Sequence, residues 1–154
     1  MNKKDIKLLL KILAKNSENE EAKKLIKKLE KEIEPIKITS RKSKGREFQK
    51  FICQKISEYT NIPWGYEDDM EIQPRLMGQS GVDIILRNNA KKLFPFAVEA
   101  KNQESLSLWK TIEQSQANLA DFKFWIVMYK KNGRKPIVIL DFNDFLDIYF
   151  KNRD

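Results

Sequence analysis

Two short runs of alternating residues constrain this chain more than any other feature. In the first, Val82, Ile84 and Leu86 alternate with Asp83, Ile85 and Arg87; in the second, Phe96, Val98 and Ala100 alternate with Ala97, Glu99 and Lys101. Side chains of a strand alternate between its two faces, so each run has one wholly apolar side. With the segment NNAKK in the connection and the pair centred near residue 91, an antiparallel register sets Asp83 opposite Glu99 and Ile85 opposite Ala97. The same register sets Val82, Ile84 and Leu86 opposite Ala100, Val98 and Phe96. A slip of one residue would turn every apolar side chain to the wrong face. Asp83, Glu99 and Lys101 are therefore expected together, on the face away from the apolar partners.

Two carboxylates a few ångströms apart repel each other, and burial penalises both; a bound cation relieves both problems. An all-oxygen donor set suits Mg²⁺, which keeps several waters and takes few protein groups. Lys101 is two residues beyond Glu99 and points to the same place, where an ammonium can polarise water or stabilise charge on a phosphate oxygen. Glu47, at the edge of a helical apolar stripe about 40° from Phe51, is placed to add an outer contact. An ion-paired carboxylate–lysine cluster on an exposed sheet face would show the same spacing, so the pattern alone leaves both readings open.

The chain has no histidine. His-assisted serine and cysteine hydrolases, imidazole metal sites and nucleases with a histidine base are thereby excluded. A hydrolase built from this sequence must use carboxylates, lysine and a hard cation. The single cysteine, Cys53, permits no disulfide within the chain, so a reducing cytoplasm is expected, that of a host cell if the protein is viral. No stretch approaches the roughly 18 apolar residues that span a bilayer, and no membrane partner is expected. The opening MNKKDIKLLLKILAKNSENEE reads as an amphipathic helix rather than an export signal, because Lys7 and Lys11 interrupt the leucines and NSENE is no small-residue cleavage site.

Charge is unevenly distributed. Residues 1–50 hold 16 Lys and Arg against 8 Asp and Glu, whereas the other 104 residues hold 14 of each. The densest part comprises Arg41, Lys42, Lys44, Arg46 and Lys50, a cluster that points to a polyanion, most often nucleic acid, with a solvated helix surface in a lysine-rich protein as the alternative.

Periodicity predicts a first helix over residues 4–15 through Ile6, Leu9, Leu10 and Leu13. A second, about 18–34, opens on the capping pair Ser17 and Glu20, carries Ala22, Leu25, Ile26, Leu29 and Ile33, and stops at Pro35. Residues 1–34 are thus expected as a helical hairpin, residues 35–45 as a basic linker, and residues 46–154 as the main domain. A helix over 45–59 presents Phe48, Phe51, Ile52, Ile56 and Tyr59, and residues 61–81 read as loop. Within that loop Trp64 and Tyr66 are candidates either to pack on the core or to stack on bases. LSLWKTIEQSQANLA is expected as a helix with Leu108, Trp109, Ile112 and Leu119 inward. FKFWIVMY and PIVILDF, joined by the Asn-Gly turn signal of KKNGRK, form a second strand pair, and Asn143 or Asp144 caps a last helix. The order predicts an α/β domain with a central mixed sheet flanked by helices.

The pieces MGQSGVD, LFPFAVEAKNQE and IEQSQAN resemble the PD-(D/E)xK nuclease superfamily, in particular the Holliday-junction-resolvase-like nucleases of phages and other DNA viruses. The similarity runs from about residue 41 to the C-terminus and implies a restriction-endonuclease-like sheet. It implies metal ligation by Asp83, Glu99 and the Ala100 carbonyl, an active-site lysine at Lys101, a helix glutamate at Glu47 and a helix glutamine at Gln114. The helical wheel favours Gln116 over Gln114, which leaves the identity of that glutamine open. Val82 stands where the motif's name has proline. Gln79 and Ser80 join Arg41, Lys42, Lys44, Arg46 and Lys50 as expected DNA contacts.

The resemblance implies a Mg²⁺-dependent DNA endonuclease, Mn²⁺ substituting, that acts on duplex or branched DNA as a junction resolvase or a site-specific, homing-type nuclease. Two strands need two sites, so a homodimer or higher homo-oligomer is expected. The alternative is a non-catalytic DNA-binding or assembly protein on the same fold.

Overall fold

A computed structural model describes residues 3–15, 20–76 and 78–151 of the 154. The chain divides into two compact units, residues 1–43 and 44–154.

The first unit contains helix α1 (Lys3–Lys15) and the beginning of helix α2 (Glu20–Thr60). Leu29 is buried, Ala22 and Ile26 are half-buried, and Leu25 is exposed, so the expected stripe narrows to one side. Ser17, the expected cap, lies outside the described residues. The helix assignment runs through Pro35 and the stretch expected to be a linker. An internal proline removes one N–H and crowds one carbonyl, at about 3 kcal/mol.

The second unit is α/β, with a five-stranded mixed sheet flanked by helices. Strands β1 (Ile72–Pro74), β2 (Ile84–Leu86), β3 (Phe96–Asn102), β4 (Phe124–Lys130) and β5 (Ile137–Ile139) lie side by side in chain order. Only β3 and β4 are parallel, and the crossover between them carries helix α4 (Leu108–Ala117). The β2–β3 register pairs Ile84 with Val98, the alignment read from the alternating pattern. β1 was not anticipated within residues 61–81: a three-residue strand is too short to show a period. Instead of a plain turn, the β2–β3 connection forms helix α3 (Asn88–Leu93), whose Ala90 N–H donates to the Glu71 carboxylate at 2.8 Å.

The core lies between one face of the sheet and α2 from Lys44 onward. Phe48, Ile52, Cys53 and Ile56 pack there against Ile72, Ile84, Leu86, Val98 and Ile126. Phe51 and Tyr59 were expected inward, but Phe51 is 38% exposed and Tyr59 88%. The buried stripe follows Phe48, Ile52 and Ile56 at i, i+4, i+8, which leaves both rings at or beyond its edge. Trp64 packs against the core and bridges to Ile72, whereas Tyr66 is exposed.

Helix α4 is rotated from its expected orientation. Thr111 and Ser115 are buried, while Leu108 and Trp109 are exposed. The sheet face beneath it carries Glu99, Lys101 and the buried Trp125 and Val127, so a stripe of small polar residues fits closer than leucine and tryptophan would. Helix α5 (Phe142–Lys151) begins earlier than expected, with Asp141 Oδ1 accepting from the N–H groups of Asn143 at 2.8 Å and Asp144 at 3.4 Å. Asp141, not Asn143 or Asp144, is its cap. Among the described residues no helix is long and apolar enough to cross a membrane.

Candidate active site

β3 delivers the centre of the site. Glu99 is 2% exposed, flanked in sequence by the buried Val98 and the half-buried Ala100 of the opposite face. Its Oε1 accepts from Lys101 Nζ at 2.5 Å, two residues along the same strand face. Its Oε2 is buried with no hydrogen-bond partner, and the nearby Asn118 side chain donates to the Gly81 carbonyl at 3.2 Å. Burial pushes the Glu99 carboxyl above the usual carboxylate range and the Asp83 charge adds to the rise, against the opposing pull of Lys101 and Asn118.

Asp83 comes from the bend just before β2. Its backbone joins both neighbours: its N–H donates to the Val98 carbonyl at 2.8 Å, and its carbonyl accepts from Arg75 N–H at 2.9 Å. Its side chain reaches to the edge of β3, where Oδ2 accepts from the Ala100 N–H at 2.7 Å. Oδ1 accepts from Gln49 Nε2 at 2.9 Å. Burial raises this carboxyl too, opposed by the Ala100 bond, Lys101, Gln49 and Arg75. Gly81 makes the bend possible. Its φ of +106° suits glycine, and a Cβ there would meet the Arg75 guanidinium at 3.3 Å.

Gln114 reaches the site: its Oε1 accepts from Lys101 Nζ at 3.1 Å. Both Gln114 and Gln116, the latter favoured by the wheel, are exposed, and it is Gln114 that bonds Lys101. The wheel had assumed that Leu108 and Trp109 point inward. Thr111, Gln114, Ser115 and Asn118, at i, i+3, i+4, i+7, form the stripe that faces the sheet. Glu47 does not approach the acids; its side chain is 67% exposed and lies 3.5 Å from Lys50 Nζ. The residue α2 sends to the site is Gln49, which sequence reasoning missed. Its signal was present, because Gln49 is one turn before the fully buried Cys53 and so continues the buried stripe. Arg75 was also missed, having no motif to mark it.

Of the expected DNA contacts, Arg41 and Lys42 are exposed in the first unit, and Lys44, Arg46 and Lys50 begin the second. Gln79 and Ser80 are exposed in the loop that leads to Gly81 and Asp83. Cys53 supplies no nucleophile: it is wholly buried, and burial pushes its thiol up to about 12.

The donor set fits a hard divalent cation. Glu99 Oε2 is a buried anionic acceptor without a donor, and Asp83 lies beside it. Ala100 directs its N–H to the Asp83 side, and the N–H and C=O of one strand residue leave on the same side, so its carbonyl faces that edge too. No group of three or more His, Cys, Asp or Glu placed to hold a metal ion occurs among the described residues. A cation here would take two carboxylates, a carbonyl and waters, as Mg²⁺ does. Comparison with known protein families, characterised proteins and solved structures finds no match.

Proposed function

We propose that this chain is a Mg²⁺-dependent DNA endonuclease with a restriction-endonuclease-like core of the PD-(D/E)xK type. One observation carries the reading: a buried Glu99 with an unpartnered oxygen, held beside Asp83 and 2.5 Å from Lys101. Such an arrangement leaves two raised carboxyls in want of positive charge, which a structural ion pair would satisfy more completely.

Asp83, Glu99 and the Ala100 carbonyl would hold the ion, with Mn²⁺ able to replace Mg²⁺. When bound, it supplies Lewis acidity at the phosphate and acidifies water. Lys101 donates hydrogen bonds. Gln114 and Glu99 orient its ammonium, so it can hold the attacking water or a phosphate oxygen where charge develops. Gln49 and the Ala100 N–H hold the Asp83 carboxylate in place. The basic residues Lys44, Arg46 and Lys50 would meet the phosphate backbone, giving salt-sensitive affinity. Cutting both strands of a duplex or a junction takes two sites, hence a homodimer or higher homo-oligomer in a cytoplasmic setting.

The second reading, a non-catalytic DNA-binding protein, draws on the Glu99–Lys101 pair and on Asp83, both of whose oxygens already accept from protein donors.

The test is incubation with supercoiled plasmid and a synthetic four-way junction, in Mg²⁺, Mn²⁺ or EDTA, beside Lys101→Ala and Asp83→Ala. Metal-dependent cutting lost in both variants supports the nuclease. Cutting that survives in both removes this mechanism, and binding without cutting across several divalent ions favours the second reading.

A further inference from the structure

The turn between β4 and β5 carries four cations in six residues, Lys130, Lys131, Arg134 and Lys135, and no carboxylate. Tyr129 pairs with Ile137, so residues 130–136 project past the last strand pair as an arm. Its tip is closed by the Arg134 N–H donating to the Lys131 carbonyl at 3.1 Å, with Gly133 at φ +68°. The arm is tied to α2. Lys44 Nζ donates to Asn132 Oδ1 at 3.1 Å, and Lys130 Nζ lies 5.8 Å from the centroid of the Phe51 ring. Asn102, which ends β3 next to Lys101, donates to the Lys44 carbonyl at 3.1 Å and pairs with Lys130 in the sheet. The arm and the start of the second unit's helix thus meet at the end of the sheet where β3 presents Lys101. Glu47, on the same stretch of α2 as Lys44, is paired with Lys50.

We propose that residues 130–135 form a phosphate-binding arm that, with Lys44, grips the backbone of double-stranded DNA beside the site. This rests on the nuclease reading for its substrate. Like charges packed at this density repel one another, and an anionic partner removes the repulsion while releasing counterions. The arm holds no aromatic residue on which a single-stranded base could stack, and its Asn132 is engaged by Lys44. Its chemistry therefore suits a regular backbone rather than bases.

The test is fluorescence anisotropy with a labelled duplex in EDTA, over about 50 to 200 mM salt. Wild type is compared with Lys131→Ser/Arg134→Ser/Lys135→Ser and with Lys27→Gln/Lys28→Gln/Lys31→Gln, which removes equal charge from the first unit. All six positions are exposed, and thermal melts check that each variant folds. The arm variant is expected to bind about 10-fold or more weakly, with a salt slope shallower by about 3. The first-unit variant is expected to change by less. Equal losses in both variants, an unchanged arm variant, a wild type that does not bind the duplex, or a preference for single strands would each overturn the arm. The measurement needs no cleavage. A wild type that binds the duplex but fails to cut it in any divalent ion defeats the nuclease reading, while the arm still stands or falls on the binding comparison.

Discussion

Lys101 Nζ lies 2.5 Å from Glu99 Oε1, and through this pair a buried carboxylate is coupled to a lysine that is itself about one quarter exposed. The two residues depend on each other. Lys101→Met leaves Glu99 buried without its main donor and is expected to cost about 1–3 kcal/mol of stability. Adding Glu99→Gln should recover much of that loss, because the uncompensated charge is gone. Urea melts of the two single variants and the double one measure the coupling; simple additivity would show that the pair is not energetically linked.

Stability should depend on pH through Asp83 and Glu99, whose carboxyls burial raises above their ordinary values. A raised folded-state pKa means the native chain keeps these protons longer than the unfolded chain. Below about pH 4 both states are protonated and nothing is lost. From there upward the unfolded chain releases protons first, so stability falls until the raised values are passed, then levels off. The Asp83→Asn/Glu99→Gln variant should lack this decline. Its stability relative to wild type should therefore rise across the weakly acidic range, and a flat difference would contradict the shifts.

Divalent ions should reverse that penalty. Mg²⁺ or Ca²⁺ at about 100 times its Kd should add about 2.7 kcal/mol to wild type. At a fixed ion concentration the gain should be larger at neutral than at weakly acidic pH, since ligating carboxylates must be deprotonated. Asp83→Asn should abolish it. Thermal melts with and without the ion decide this, and an equal rise in the variant would place the ion elsewhere.

Gln49 and Gln114 should matter where Glu47 and Gln116 do not. Gln49→Ala removes the donor to Asp83 Oδ1, and Gln114→Ala removes the acceptor that orients Lys101. Loss of a partner that orients a metal ligand typically costs about 10- to 100-fold in affinity or activity. Metal titration should register Gln49→Ala, and the cleavage rate should register both. Glu47→Ala and Gln116→Ala, at exposed positions, should stay within about twofold, because neither group touches the site. A larger effect from Glu47→Ala than from Gln49→Ala would reverse the assignment.

Much of this arrangement was legible in the chain itself. Alternation in two strands has a period of two, and only one pairing buries Ile84 against Val98, so the proximity of Asp83 to Glu99 and Lys101 followed from local pattern. The absence of histidine likewise limited the chemistry before any fold was known. Other features depend on what an element packs against, and no local pattern contains that. Helix α4 turns Thr111, Gln114 and Ser115 to the sheet face that carries Glu99 and Lys101, although leucine and tryptophan predicted the opposite side. Gln49 gains its role only because packing brings α2 within 2.9 Å of Asp83, 34 residues away in the chain. The basic arm lies against α2 through Lys44 and Asn132, 88 residues apart in the chain. Period and composition decide which residues share a face; which faces meet is decided by tertiary packing, where burial and unmet hydrogen bonds from distant segments are balanced together.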